Sequence, residues 1–140
     1  MKKSAKIILG LLLFALVFFL LHTDDQKRQL QQVLVIPENV AVEITCGGIN
    51  HGSTCALTDA DRRDILKELT TIEYAPFKRS RVPYDYEKEY FYITVGSPES
   101  SYYKRFDIFA DAGYGTLSNG ITFTVSDEFL SLLRSLPFQT

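Results

Sequence analysis

The chain has few of the side chains that enzymes use for acid–base chemistry near neutral pH. Its 140 residues include only two histidines, His22 and His51, and His22 directly follows a long apolar run. The sequence contains no G-x-S-x-G, P-loop or H-E-x-x-H motif. We therefore predict that the protein is not an enzyme, that it holds no metal and that it carries no cofactor.

Positive charge is also sparse after the apolar run. From residue 24 onward there are 12 Lys and Arg against 17 Asp and Glu, a net charge of −5. Non-specific affinity for nucleic acid comes mainly from basic side chains that displace counterions from phosphates. We therefore expect no nucleic-acid partner.

The apolar run extends over Ile7–Leu21, which is 15 residues without a charge or a hydroxyl group. As a helix it covers about 22 Å, less than the roughly 30 Å hydrocarbon core of a bilayer, and this length also suits a signal peptide. A cleavage site needs small residues just after the run, but the chain continues LLHTDD. The sequence therefore favours a retained anchor, with secretion after cleavage as the alternative.

Flanking charges predict how this anchor is oriented. Lys2, Lys3 and Lys6 precede the run, and Asp24 and Asp25 follow it. By the positive-inside rule, the N-terminus lies in the cytoplasm and the rest of a single-pass membrane protein lies outside. The predicted parts are a membrane segment over 1–23, a polar stalk over 24–32 and an extracytoplasmic domain over 33–140. No cysteine directly follows the run, which excludes a lipoprotein anchor.

Periodicity predicts an α+β fold for the domain, with two layers. Strand patterns occur at 33–36, 39–46, 90–95, 102–110 and 121–125, and helices begin after the N-caps Thr58 and Ser126. Asn119-Gly120 predicts a type I′ hairpin. The order β-α-β-β-β-α suggests an antiparallel sheet of about four to five strands with two helices on one face.

Alternation along two of these strands separates a core face from an outer face. Phe91, Ile93 and Val95 share one face of the strand 90–95, and Phe106 and Ile108 share one face of the next strand. The opposite faces would display tyrosine, arginine and phenylalanine, and the first two residue types are enriched in interface hot spots. We therefore predict a binding surface for another protein at Tyr90, Tyr92, Tyr103, Arg105 and Phe109.

A glycine-rich loop lies between the only two cysteines, Cys46 and Cys55. An exported domain favours a disulfide here, and closing a ten-residue loop contributes about 2.7 kcal/mol in the chain-entropy model. A metal site with His51 and Asp59 or Asp61 has a C-x4-H-x3-C spacing that matches no common zinc pattern. A Cys–His nucleophile pair would need a free thiolate and an orienting partner.

The same loop offers His51 as a second candidate for binding. A bridge would hold Asn50-His51-Gly52 in place and so reduce the entropy lost on binding. Over about ten residues the loop resembles that of the periplasmic lysozyme inhibitors, which insert a histidine from between two bridged cysteines into an enzyme cleft. The spacing here is longer and the loop comes early in the chain, so no further residue of that family is carried over.

Two charged clusters have simpler interpretations. Asp59, Asp61, Asp64 and Glu68 lie in a helix among basic residues, which is typical of capping and of a solvated face. Lys78, Arg79 and Arg81 form a basic group near several tyrosines, and contact with anionic lipid headgroups is one interpretation of it.

Together these features favour a membrane-anchored module that binds another envelope or extracellular protein, as an inhibitor, an immunity factor or an accessory subunit. Two alternatives remain open from the sequence. One is an envelope-acting hydrolase with an unidentified carboxylate site, and the other is a structural subunit of a membrane complex.

Overall fold

The structure, a computed structural model, describes residues 2–48, 52–79 and 87–139. It is α+β: a long N-terminal apolar helix is followed by an antiparallel sheet with further helices. The α-helices are α1 (Lys2–Val33), α2 (Asp59–Leu69) and α3 (Asp127–Ser135). The strands are β1 (Val42–Gly48), β2 (Ser53–Cys55), β3 (Glu73–Tyr74), β4 (Glu89–Gly96), β5 (Tyr103–Phe109), β6 (Tyr114–Leu117), β7 (Thr122–Thr124) and β8 (Phe138–Gln139).

All eight described strands form one antiparallel sheet in the order β3-β7-β6-β5-β4-β1-β2-β8. Its centre is the ladder β1–β4–β5, in which Ile44 lies opposite Ile93 and Ile93 lies opposite Phe106. The predicted class is therefore confirmed, but the sheet has more strands than the four to five expected.

One face of the sheet forms the hydrophobic core. Phe91, Ile93 and Val95 from β4 and Phe106 and Ile108 from β5 are buried there, as their alternation predicts. The buried residues of α2 and α3 belong to the same cluster, so these helices cover this face: Ile65, Leu69, Phe129, Leu130 and Leu133.

Helix α1 is a single unbroken helix that begins at Lys2 and ends at Val33. Its 18-residue apolar window has a mean hydropathy of 2.6 and no buried residue, so it is long and apolar enough to cross a membrane. A signal sequence meets the same criterion. Beyond the apolar run the helix packs on the domain, because Leu30 is buried in the core cluster.

The prediction of a strand at 33–36 is wrong, because the structure has no strand there. The helix continues through Val33, and the amide of Leu34 still donates to the carbonyl of Leu30 at 3.0 Å. Pro37, which lacks an amide hydrogen, is the first residue here that cannot extend a hydrogen-bonded helix. Val33, Leu34 and Ile36 instead pack as partly buried side chains against the core.

The turn between β6 and β7 also differs from the predicted type. A type I′ turn needs positive φ at two residues, but at Asn119-Gly120 only Gly120 has it, with φ 88°. The amide of Leu117 donates to the carbonyl of Ile121, which closes a three-residue loop. Asn119 contributes its side-chain oxygen, which accepts from the amide of Ile121 at 3.2 Å.

Candidate functional site

The predicted binding residues lie on the sheet face opposite the core, on β4 and β5. Tyr92 lies directly opposite Asp107, and Arg105 lies opposite Thr94. Tyr103 begins β5 and is 49% exposed. We call the group of Tyr92, Tyr103, Arg105 and Asp107 the outer patch.

Arg105 is held in place by two neighbours within the outer patch. Its Nε donates to Oδ1 of Asp107 at 2.6 Å, and its guanidinium carbon lies 4.8 Å from the centre of the Tyr92 ring. The arginine side chain remains half exposed while the aspartate is less so. The cation–π contact with Tyr92 and the ion pair with Asp107 therefore hold the Arg105 guanidinium group, with its N–H donors, in one position at the surface.

The predicted binding surface needs a correction at Tyr90. The sequence pattern predicts that this residue is exposed, but it is buried, with 2% exposure. Its ring lies parallel to that of Tyr92 at 6.5 Å and meets the Phe109 ring edge to face at 5.8 Å. Phe109 in turn packs against Tyr114 at 5.2 Å. Two aromatic rings, those of Tyr92 and Phe109, thus contact Tyr90. The sequence pattern predicts the face on which a side chain lies but not which residues cover it.

Tyr92 has a structural role beside its place in the outer patch. Its ring lies across Gly47 on β1, where an added Cβ would come within 2.9 Å of the ring. Gly47 is directly opposite Tyr90, so the glycine makes room for the diagonal tyrosine. Tyr103 and Arg105 are therefore the members of the patch that are most available to a partner.

The neighbouring part of the outer face, on β6, is covered by the chain that follows β3. The ammonium group of Lys78 lies 5.5 Å from the centre of the Tyr114 ring, and the Tyr114 hydroxyl donates to the carbonyl of Arg79 at 3.2 Å. Tyr114 is accordingly buried. A small pocket of about 140 Å³ remains between Tyr90, Phe109 and Tyr114.

The two cysteines correct a further prediction, since both are thiols in this structure and form no disulfide. Cys46 lies opposite Ser53, while Cys55 lies opposite Ile44, so the cysteines are diagonal neighbours on β1 and β2. Diagonal Cα atoms of such strands are about 7–8 Å apart. That separation exceeds the roughly 4.4–6.8 Å that a disulfide bridges.

Both thiols are nearly inaccessible, with 1% exposure for Cys46 and 8% for Cys55. Burial raises the pKa of the Cys55 thiol, and the nearby Asp61 carboxylate raises it further. A raised pKa disfavours the thiolate, which is the form that acts as a nucleophile or metal ligand. His51, the third predicted residue of this loop, lies outside the described residues.

The junction between α1 and the domain was not predicted from the sequence. The hydroxyl of Tyr74 donates to the side-chain oxygen of Gln26 at 2.7 Å, and the hydroxyl of Tyr102 donates to the carbonyl of Val33 at the end of the helix. Burial raises the pKa of Tyr102 to about 12. Residues 24–32, expected as a stalk, are therefore the last turns of α1 and are bonded to the sheet domain.

The other predicted charged residues show ordinary structural roles. The Asp61 carboxylate accepts from the amide of Thr58, while the Thr58 hydroxyl accepts from the amide of Asp61, both at 3.1 Å. This is the capping box that the sequence predicts. Within the described ranges, no group of three His, Cys, Asp or Glu side chains is placed to hold a metal ion. Arg81 lies outside those ranges.

Comparisons with protein-family models, with curated proteins and with solved structures give no match for this chain.

Proposed function

We propose that the protein is a membrane-anchored, extracytoplasmic binding module that recognises another protein of the cell envelope through the outer patch. The observation that carries this proposal is the arrangement of Arg105 and Tyr103. A half-exposed arginine is held by Asp107 and Tyr92, next to a tyrosine that is 49% exposed. Tyrosine and arginine supply most interface hot spots, and a side chain already held in place loses less entropy on binding.

The position of the patch within the sheet supports this role. The helices α2 and α3 contribute to the core on the opposite face, while Tyr103 is 49% exposed. The patch lies on β4 and β5, which are central strands paired on both sides. A binding surface on rigid paired strands keeps its geometry without a partner.

Helix α1 supports the anchoring part of the proposal. None of the residues in its apolar window is buried in the domain, so this part of the helix is available to a membrane. The helix then continues without a break into bonds with Tyr74 and Tyr102. Gln26, Leu30 and Val33, which follow the apolar run, thus belong to the fold of the domain. The lysines before the run favour a cytoplasmic N-terminus.

The test is site-specific photo-crosslinking in the native membrane. A photoreactive phenylalanine analogue placed at Tyr103 should give a discrete adduct with one envelope protein. The same analogue at Lys104, the next residue on the same strand, should give none, because alternate residues of a strand point to opposite faces. Arg105→Ala should weaken the Tyr103 adduct about fivefold or more, which corresponds to roughly 1 kcal/mol or more at a hot spot.

Stability measurements separate binding from folding in this test. Tyr103→Ala should cost about 0.2–1 kcal/mol, since only cross-strand packing is lost. Arg105→Ala should cost about 1–2 kcal/mol, because it also removes the exposed ion pair with Asp107 and the contact with the Tyr92 ring. The core variant Ile93→Ala should cost about 2–5 kcal/mol through the cavity that it leaves. Equal crosslinking at Tyr103 and Lys104, or adducts that Arg105→Ala leaves unchanged in a folded protein, would rule out the outer patch as the binding surface.

A further inference from the structure

Phe77 is an aromatic residue whose side chain is hardly covered by the rest of the protein. Its side chain is 87% exposed, and outside the apolar run the other large exposed hydrophobic residues in the described ranges are Val35 and Tyr103. Its backbone has φ 63°, a left-handed conformation that aromatic residues rarely adopt. An exposed ring in an unfavourable backbone conformation suggests a contact outside the domain.

The neighbour of Phe77 indicates what that contact is. Its ring stacks on that of Phe19, with centroids 5.3 Å apart and an interplanar angle of 12°. Phe19 lies two residues before Leu21, the last residue of the apolar run, which is about 3 Å along the helix axis. Phe77 therefore lies at the level where the apolar part of α1 ends. Val35, in contrast, follows that end by 14 residues.

The two residues after Phe77 are basic and exposed. Lys78 and Arg79 lie in a part of the chain that is otherwise net negative. Both are held near Tyr114, by the contact of the Lys78 ammonium group with the ring and by the hydrogen bond to the Arg79 carbonyl. An apolar ring beside two cations is the composition of a membrane-surface contact, in which the ring enters the interface and the cations meet anionic headgroups.

We propose that Phe77, Lys78 and Arg79 form a second membrane contact. The Phe77 ring lies in the bilayer interface beside Phe19, and the two cations bind the headgroups of anionic phospholipids. This inference rests on the proposed function, because it requires α1 to be in the membrane. Phe77 adds apolar surface at the outer end of a run that is short for a bilayer. A second contact also fixes the rotation of the domain about the axis of α1.

Tryptophan fluorescence tests this contact directly, since the chain contains no tryptophan. Phe77→Trp would be made in the full chain and reconstituted in phosphatidylcholine vesicles, with and without phosphatidylglycerol, that contain lipids brominated near the headgroup. Two matched single-tryptophan variants serve as references. Phe14→Trp reports whether the apolar run is in the bilayer, and Val35→Trp reports a solvent-exposed position beyond it.

The expected result is that Phe77→Trp shows blue-shifted emission and loses fluorescence to the shallow bromines, while Val35→Trp does neither. If Phe14→Trp is quenched by deeply brominated lipids but Phe77→Trp behaves like Val35→Trp, the second contact is overturned and the anchor stands. If Phe14→Trp is not quenched at any depth, the anchor itself fails, and the second contact fails with it.

The role of Lys78 and Arg79 is tested by comparing vesicles with and without the anionic lipid. Quenching of Phe77→Trp should be stronger in vesicles that contain phosphatidylglycerol, and added salt should reduce the difference. Adding Lys78→Gln and Arg79→Gln should abolish the difference between the two lipid compositions. If Phe77→Trp with Lys78 and Arg79 intact is quenched equally with and without phosphatidylglycerol, the two cations do not recognise anionic headgroups.

Discussion

At the scale of single residues, Tyr102 joins the end of α1 to the sheet. Its hydroxyl donates to the carbonyl of Val33, which lies in the last turn of the helix and has no further intrahelical donor. Burial of the phenol raises its pKa to about 12, because the charged phenolate is disfavoured in this environment. The folded state therefore favours the protonated tyrosine.

This shift predicts that stability falls at high pH. A folded-state pKa above the unfolded value of about 10 gives a stabilising contribution that is complete below pH 10 and is lost as the pH rises towards about 12. Absorbance titration of phenolate should show one of the eight tyrosines ionising last. Tyr102→Phe should remove that step and cost about 0.5–1.5 kcal/mol through the lost hydrogen bond. A variant that retains the late step would assign it to another tyrosine.

The cysteines give a second prediction at this scale. Cys46 and Cys55 are buried, and the pKa of Cys55 is raised by burial and by Asp61, so both should react slowly with alkylating reagents in the folded protein. In denaturant, without a reductant, mass spectrometry should find two alkylated cysteines. Alkylation that appears only after reduction would mean that the protein contains the disulfide predicted from the sequence, and that β1 and β2 pair in a different register.

The sequence predicts the face of a strand residue better than its exposure. Alternation places Phe91 and Ile93 in the core and Tyr92 and Arg105 on the other side, as the structure has them. It does not predict that Tyr90 is buried, since the ring that meets it edge to face is that of Phe109 on another strand. Contacts between distant parts of the chain leave no local pattern.

At the scale of elements, α2 shows where local signals are sufficient. The capping box of Thr58 and Asp61 satisfies two backbone amides at the start of the helix, and both partners lie within four residues. Thr58→Ala should lower the free energy of unfolding by about 0.5–2 kcal/mol. Thermal and denaturant unfolding measure this change. Thr70→Ala is a suitable control, because that hydroxyl bonds only to the local carbonyl of Lys67 at the other end. Equal losses from both changes would mean that the box contributes nothing specific.

Short strands show where local signals are insufficient. The strands β2, β3 and β8 have two or three residues each, too few for alternation to be visible. They form by pairing with a neighbouring strand: β2 pairs with the longer strand β1, β8 pairs with β2, and β3 pairs with β7. The end of α2 illustrates the same limit. Ile72 fits the helical stripe in the sequence, but the helix ends at Leu69, and Ile72 is buried just before β3.

At the scale of the whole molecule, the notable feature is that the apolar helix and the domain are connected without a flexible linker. Hydrogen bonds at Gln26 and Val33 and the buried Leu30 place α1 against the sheet domain. A partner bound at the outer patch would therefore be held at a defined distance and orientation with respect to α1. The sequence shows the polar character of residues 24–32 but not their docking, which depends on Tyr74 and Tyr102 from far along the chain.

The last prediction concerns retention of the apolar helix. The full chain, fused after Thr140 to a reporter enzyme that is active only outside the cytoplasm, should be active and remain in the membrane fraction at full length. The physical reason is that the end of the apolar run and the residues just after it, Leu20 to Thr23, include no pair of small side chains for a signal peptidase to bind. Membrane fractionation and the mass of the product measure both properties at once.

A matched variant tests that reason. Leu20→Ala together with His22→Ala introduces small residues at the two positions that a peptidase reads, and it should release a shortened, soluble and still active fusion protein. Release of the unchanged chain would instead show that residues 1–23 are a signal peptide and would contradict the anchor. Activity of a cytoplasm-only reporter would contradict the orientation, because the lysines before the run would then lie outside. Retention of both proteins would mean that features other than small residues keep the helix in the membrane, the most direct being its attachment to the folded domain through Leu30 and Tyr102.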